Sequence, residues 1–245
     1  MKAVVTAGGR VEGEYAREAG TAVKALAAVR GATMLDRILD ALRGAGVTRL
    51  AVVGGAEVRA ACGHRVELIV DEGASGSANV LRALDVWPDD DGEPLLYATS
   101  DLPYVTAAAV TDFVRRSPPS ALCVALAEHA VFEHRFPAAP PFGITLARER
   151  VVNGGVFSIP PGSCARLGQI AGAFFESRKR PWRMATLVSP FALLRLAFGR
   201  LRITEVETLA GKIAGVPAVA LRNCAPELGY DADTLLEYRY ACRNA

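Results

Sequence analysis

Cysteine is scarce and scattered in this chain. Five occur in 245 residues (Cys62, Cys123, Cys164, Cys224 and Cys242), an odd number with no Cys-x-x-Cys spacing. That pattern argues against a disulfide framework and against a zinc site. Cys123 lies in an apolar strand pattern and reads as core. No charge of one sign dominates, since 28 Lys and Arg face 26 Asp and Glu for a net charge of +2. A dedicated nucleic-acid binder would carry a basic footprint, so no nucleic-acid partner is expected. No apolar run is long enough to span a bilayer, so no transmembrane segment is expected. Met1-Lys2 leads directly into a strand pattern without a signal peptide, so the expected compartment is the cytoplasm. His64, His129 and His134 share no metal-ligand spacing and are expected at the surface. Two phosphate-binding signatures are missing as well: no Gly-x-Gly-x-x-Gly follows the first strand, and no Gly-Lys-Ser/Thr occurs.

What is present is an alternation of short apolar strands and amphipathic helices. Hydrophobic residues make up 51% and charged residues 22%, enough for one large α/β core. Val4–Thr6, Leu50–Val53, Val66–Val70, Leu95–Ala98 and Ala121–Ala125 read as strands. Met34, Leu35, Ile38, Leu39 and Leu42 recur at helical spacing, with Thr33 as N-cap and Gly44 or Gly46 as terminator. Val80, Leu81 and Leu84 mark a second helix, and Val110, Phe113 and Val114 a third, capped by Thr106. This βαβ rhythm predicts a mainly parallel sheet covered on both faces. The second half opens with a proline-rich loop, Pro137 to Phe142. Ile144–Leu146 and Val156–Ile159 then suggest a small antiparallel addition. Helices are expected over Ala165–Arg178, Phe191–Phe198, Thr204–Ala214 (capped by Thr204) and within Asp231–Cys242, with a late strand at Val219–Leu221.

The first strand runs into Ala7-Gly8-Gly9-Arg10. Glycine there leaves backbone N–H groups open to a phosphate, because no Cβ blocks the approach. Lys24 can add a mobile positive charge. Asp101 follows the strand Leu95–Ala98, and ligands of open parallel sheets gather beyond the carboxyl ends of strands. Asp231 and Asp233, two apart in an extended segment, point to one side, where a cation would relieve their repulsion. Magnesium takes few carboxylates together with phosphate oxygens and water. A tight turn at Gly8-Gly9, a turn aspartate at Asp101 and a helix cap at Asp231–Asp233 are the plain structural alternatives for each residue alone.

Taken in order, the segments VVTAGGR, KALAAVRGATMLDRILDAL, EGASGSANVLRAL, LLYATSDLPYVT, NGGVFSIP and GYDADTLLEY resemble the GT-A-like nucleotidyltransferases. The nearest group is that of molybdenum-cofactor guanylyltransferase and the sugar-phosphate nucleotidylyltransferases. The resemblance runs from residue 4 to about residue 237 and is poor between 160 and 225. It implies a Rossmann-like GT-A fold in a single domain, 1–245, with a nucleotide-binding half (1–125) and an acceptor-binding half (126–245) that carries the C-terminal metal ligand. It implies that Ala7, Gly8, Gly9 and Arg10 wrap a triphosphate and that Lys24 contacts phosphates. Gly73 and the segment Ser75, Gly76, Ser77 to Asn79 would line base and ribose. Asn153, Gly154 and Gly155 would form a loop on the acceptor side. Asp101 and Asp231, with Asp233 beside them, would hold Mg²⁺ or Mn²⁺. The implied substrates are a nucleoside triphosphate and an anionic small-molecule acceptor.

One departure stands out. The family places Gly-Gly-x-Ser-x-Arg-Met-Gly before the lysine, whereas Arg10 is followed here by VEGEYAREAGTAV, longer and more acidic. Arg10 or Arg17 is the stand-in for the missing arginine. Two other functions stay open: a nucleotide-sugar glycosyltransferase of the same fold, and a nucleotide sensor without turnover. Arg178-Lys179-Arg180 reads as a solvated helix end. Leu187 to Ile203, with Pro190 opening a helix, reads as core, as a homodimer face, or as a pocket for an apolar acceptor flanked by Arg195 and Arg200.

Overall fold

A computed structural model describes residues 1–89, 91–147, 149–177, 195 and 200–244. Strand β1 (Lys2–Thr6) is followed by helix α1 (Gly13–Ala19), the two short strands β2 (Ala28–Val29) and β3 (Ala32–Thr33), and helix α2 (Met34–Gly44). Then come β4 (Arg49–Val53), α3 (Ala56–Cys62), β5 (Leu68–Val70), α4 (Gly76–Leu84), β6 (Leu95–Thr99), α5 (Ala107–Arg116) and β7 (Leu122–Glu128). The second half holds α6 (His129–Arg135), β8 (Ile144–Leu146), β9 (Glu149–Ile159), α7 (Cys164–Ser177), α8 (Ile203–Ala214), β10 (Ala218–Leu221) and α9 (Leu235–Asn244).

The main sheet has the order β10-β7-β9-β6-β1-β4-β5, with β8 paired to β9. Strand β1 lies between β4 and β6 and is parallel to both, with Thr6 level with Val53 and Thr99. Both faces of β1 are covered. Ala3 and Val5 join the cluster with Leu35, Ile38 and Phe113, while Val4 joins Ala51, Leu84 and Leu95 on the other face. Alternate residues of a strand face opposite ways, so a strand buried on both sides is apolar throughout. The antiparallel addition is present, and its longer strand does not sit at the rim. Strand β9 lies inside the sheet, antiparallel to both β6 and β7.

Local chemistry starts and stops α2 as the sequence suggests, whereas α1, α3 and α6 are not among the expected elements and other elements differ. Thr33 closes a reciprocal capping box with Asp36, and Met34, Leu35, Ile38, Leu39 and Leu42 form the buried face of α2. Helix α8, by contrast, starts at Ile203, one residue before the expected cap Thr204. Arg202 is its N-cap, and Glu205 Oε2 accepts the Arg202 N–H at 2.9 Å. His129 is buried, not exposed: it opens α6 and packs against the backbone at Gly143, where a Cβ would come within 3.3 Å of its ring. Strand β5 begins at Leu68, two residues after the expected start. The basic run Arg178-Lys179-Arg180, the Pro190 start and, apart from Arg195, the Phe191–Phe198 helix lie outside the described residues, as does Leu187 to Ile203 except for Arg195 and residues 200–203.

Candidate active site

The carboxyl ends of β1 and β6 share one edge of the sheet. The chain leaves β1 after Ala7, whose N–H bonds to the Val53 carbonyl at 2.8 Å. Gly8 is then hemmed in: a Cβ there would lie 2.4 Å from Asn79 Nδ2 and 2.7 Å from Glu72 Oε2. No side chain larger than hydrogen fits without displacing those groups.

The residues between Arg10 and Lys24 do not form an open loop. Arg10 and Val23 make an isolated antiparallel bridge. The Lys24 N–H donates to the Gly9 carbonyl at 2.9 Å, and the Val11 N–H donates to the Ala22 carbonyl at 2.9 Å. This short ladder closes the base of the insertion and leaves α1 as its tip. Lys24 therefore returns to the glycine loop despite the inserted residues, and a Cβ on Gly9 would sit 3.3 Å from Lys24 Cε.

Lys24 Nζ donates to Asp101 Oδ2 at 2.5 Å and also to Asp233 Oδ1. Burial works against the ammonium charge, but Asp101 and then Asp233 outweigh it and raise the Lys24 pKa above its ordinary range. Burial likewise opposes ionisation of Asp101, and Lys24 more than compensates, holding that carboxyl below its ordinary value. Asp101 Oδ1 is buried and has no hydrogen-bond partner.

The second carboxylate pair is placed from the far end of the chain. Tyr230 is fully buried within the aromatic cluster that includes Tyr104, Phe132, Phe136 and Phe142. Three residues after Asp231, Thr234 and Glu237 exchange capping bonds, with Thr234 N to Glu237 Oε2 at 2.6 Å and Glu237 N to Thr234 Oγ1 at 3.3 Å. Between these anchors the Ala232 N–H donates to the Asp101 carbonyl at 3.0 Å. That bond ties the Asp231–Asp233 turn to the end of β6. Asp233 is exposed and reaches Lys24; Asp231 is half-buried, and burial together with Asp233 and Asp101 pushes its carboxyl up to about 7. Among the described residues no group of three or more His, Cys, Asp or Glu side chains is placed to hold a metal ion.

Other expected residues are placed differently. The Arg10 guanidinium pairs with Glu57 at 3.0 Å and also with Glu72. Arg17 is exposed on α1 and makes no ion pair among the described residues. Asn79 is buried, and its Oδ1 accepts the Gly73 N–H at 2.7 Å, so it shapes the turn before α4. Ser75 caps α4 through the Ala78 N–H at 3.2 Å and shares a 2.7 Å hydroxyl contact with Ser77, beside the open position Gly76. Asn153, Gly154 and Gly155 lie within strand β9, not in a loop. Strand β9 passes so close to β6 that a Cβ on Gly155 would be 2.5 Å from Thr99 Oγ1, and β7 is irregular opposite this stretch. The sequence reading missed Glu72, whose buried Oε2 has no partner next to Gly8, and Tyr15, which anchors α1. The only available signal for Glu72 was its place in the EGASGSAN segment.

An open, mostly parallel sheet that gathers glycine backbone, an ammonium and carboxylates at one edge defines a class, the α/β enzymes that handle phosphorylated ligands. The chain belongs to the MobA-like NTP transferase family, whose domain matches residues 3–231, and is a nucleotidyltransferase. It is similar to a hypothetical transferase from Thermus thermophilus, at 30% identity and TM-score 0.83, over 97% of this chain and 100% of that one. A nucleotidyl transferase from Methanothermobacter shares the fold at 18% identity and TM-score 0.56, over 100% and 98% of the two chains. So does a Mycobacterium tuberculosis protein solved in complex with manganese, at 17% identity and TM-score 0.54, over 100% and 98%. No curated protein matches the chain. Among the described residues no helix is long and apolar enough to cross a membrane.

Proposed function

We propose that this enzyme joins a nucleoside monophosphate, taken from a nucleoside triphosphate, to a phosphate- or phosphonate-bearing small molecule and releases pyrophosphate. The observation that carries this reading is Lys24, held beside the Gly8-Gly9 loop and between Asp101 and Asp233. In the proposed reaction an acceptor oxygen attacks the α-phosphorus, and the bond from that phosphorus to the bridging oxygen of pyrophosphate breaks. The acceptor is already anionic, so no general base is required. Lys24 and the N–H groups of the glycine loop neutralise the departing pyrophosphate, and alignment supplies the rest.

Two carboxylates at this turn favour a divalent cation that would share phosphate oxygens and water. Asp101 Oδ1 is buried without a donor, and the Asp231 carboxyl is pushed up by burial beside two like charges. Both features are relieved by a positive charge at that point. Asp101 and Asp231, with Asp233 beside them, would hold Mg²⁺ or Mn²⁺. When bound, the ion supplies charge neutralisation for the phosphates. The manganese complex of the mycobacterial fold relative supports this choice.

The test is pyrophosphate release by Asp101→Ala and Lys24→Ala variants across four nucleotides and a panel of phosphorylated acceptors. Turnover undiminished in both variants overturns the reading. Release of a nucleoside diphosphate from a nucleotide sugar would make the protein a glycosyltransferase, and nucleotide binding without either product would make it a sensor.

A further inference from the structure

The insertion that separates this chain from its family has a defined contact at the site. Tyr15, on α1, is buried, and its hydroxyl donates to the Ala232 carbonyl at 2.8 Å. The Ala232 N–H donates to the Asp101 carbonyl at 3.0 Å. The residue between Asp231 and Asp233 is thus gripped on both sides, by Asp101 just beyond β6 through its N–H and by the insertion through its C=O. Ala232 is itself fully buried.

Helix α1 is fixed well enough to act as a support. The Tyr15 ring stacks on Tyr238 of α9 with centroids 5.0 Å apart and an interplanar angle of 27°. Arg239, the next residue on α9, pairs with Glu14 at 2.8 Å and with Glu18. Both glutamates belong to the acidic run that makes the insertion unusual. The Arg10–Val23 bridge closes the base of the insertion on the side of the glycine loop. The insertion therefore meets the glycine loop at its base and, through α1, the carboxylate turn.

We propose that Tyr15 is a positioning residue for the cation site, setting the Asp231–Ala232–Asp233 turn against Asp101. The inference rests on the reading of Asp101 and Asp231 as cation ligands. It assigns a role to the acidic insertion: carrying the hydroxyl that fixes the second carboxylate, in place of the arginine and glycine that the family keeps there. A cation held by Asp101 and Asp231 would depend on their spacing, and loss of one of the two bonds to Ala232 would let that spacing drift.

The experiment is Mn²⁺ binding to the full-length chain without nucleotide, followed by electron paramagnetic resonance well below the unfolding temperature. Tyr15→Phe keeps the buried ring and the stack but loses the hydroxyl. It should weaken Mn²⁺ binding by about fivefold, the scale of one net hydrogen bond. Tyr238→Phe is the matched control. It removes a bond to the Ala28 carbonyl at 2.9 Å in the same aromatic layer but leaves Ala232 gripped, so its Mn²⁺ affinity should equal that of the wild type. Glu14→Gln combined with Glu18→Gln frees α1 from Arg239 without altering a buried group, and should weaken Mn²⁺ in the same direction even where Tyr15→Phe folds poorly. Asp101→Asn separates the two ideas. If it leaves Mn²⁺ binding intact, the cation reading itself fails. If it abolishes binding while the Tyr15 and glutamate variants bind like the wild type, the role of Tyr15 is overturned.

Discussion

Lys24 Nζ lies 2.5 Å from Asp101 Oδ2, so a lysine and an aspartate separated by most of the first half of the chain form one largely buried ion pair. The side chains are only 15% and 12% exposed. Each member of such a pair makes the other's burial tolerable, and removing one leaves an uncompensated charge. The lysine also stands where a cation would meet the carboxylates. On the proposed reading of Asp101 as a cation ligand, ammonium and metal would compete for it in the free enzyme.

Lys24→Met should accordingly show two opposite effects. Breaking a buried pair costs about 3–5 kcal/mol, so the variant should unfold at markedly lower temperature in metal-free buffer. Mn²⁺ should restore much of that loss and bind the variant more tightly than it binds the wild type, while triphosphate affinity falls. Thermal unfolding with and without Mn²⁺ checks both halves.

Asp231 sets a pH dependence. Its folded pKa, about 7, lies above the ordinary value of 3.8, so the folded state holds a proton that the unfolded state has already released. The metal-free protein should therefore lose stability as pH rises from about 4 to about 7, with no further loss from this group above that. Asp231→Asn should flatten the slope. On the proposed reading a cation at Asp231 would displace the proton, so Mn²⁺ affinity should rise through the same range. Denaturant midpoints and Mn²⁺ titrations at pH 5, 6, 7 and 8 measure the two trends.

Gly8→Ala should be costly and Gly76→Ala should not. A Cβ at Gly8 falls 2.4 Å from Asn79 Nδ2, whereas one at Gly76 meets nothing within 4 Å. Forcing apart the packed Asn79 and Glu72 should cost about 1–3 kcal/mol. Gly76→Ala, in the first turn of an exposed helix end, should stay within about 0.5 kcal/mol of the wild type. Paired denaturation curves decide it.

Arg10→Ala tests where the positive charge of the glycine loop is spent. The guanidinium is 40% exposed and pairs with Glu57 and Glu72, so its loss should cost less than about 1 kcal/mol. Because Glu57 and Glu72, and not Asp101 and Asp233, hold the guanidinium, triphosphate affinity should fall less than in Lys24→Met. Nucleotide titration of the two variants side by side makes the comparison.

Much of this was legible in the chain. Strands β1, β4, β6 and β7 are short apolar runs whose both faces are covered, and that burial writes a continuous hydrophobic signature. Thr33 and Thr106 announce helix starts through side chains that bond the nearest N–H groups. Asn153-Gly154-Gly155 misled, because a glycine pair in a strand reads locally as a loop. Its reason is distant: β9 runs close against Thr99 and Leu228. His129 misled in the same way, since its burial depends on Gly143 across a loop.

The sequence alone determined the alternation of strands and helices, the sheet edge where ligands gather, and Gly8, Lys24, Asp101 and Asp231 as residues worth watching. Those features rest on local periodicity and residue type. Only the tertiary structure decided that Lys24 rests between Asp101 and Asp233, that Arg10 is tied up by Glu57 and Glu72, and that the acidic insertion is a helix reaching Ala232 through Tyr15. Each of these is a contact between segments far apart in the chain. Which charge meets which is settled by how the sheet and α9 bring those segments together, and residue type at one position carries no record of it.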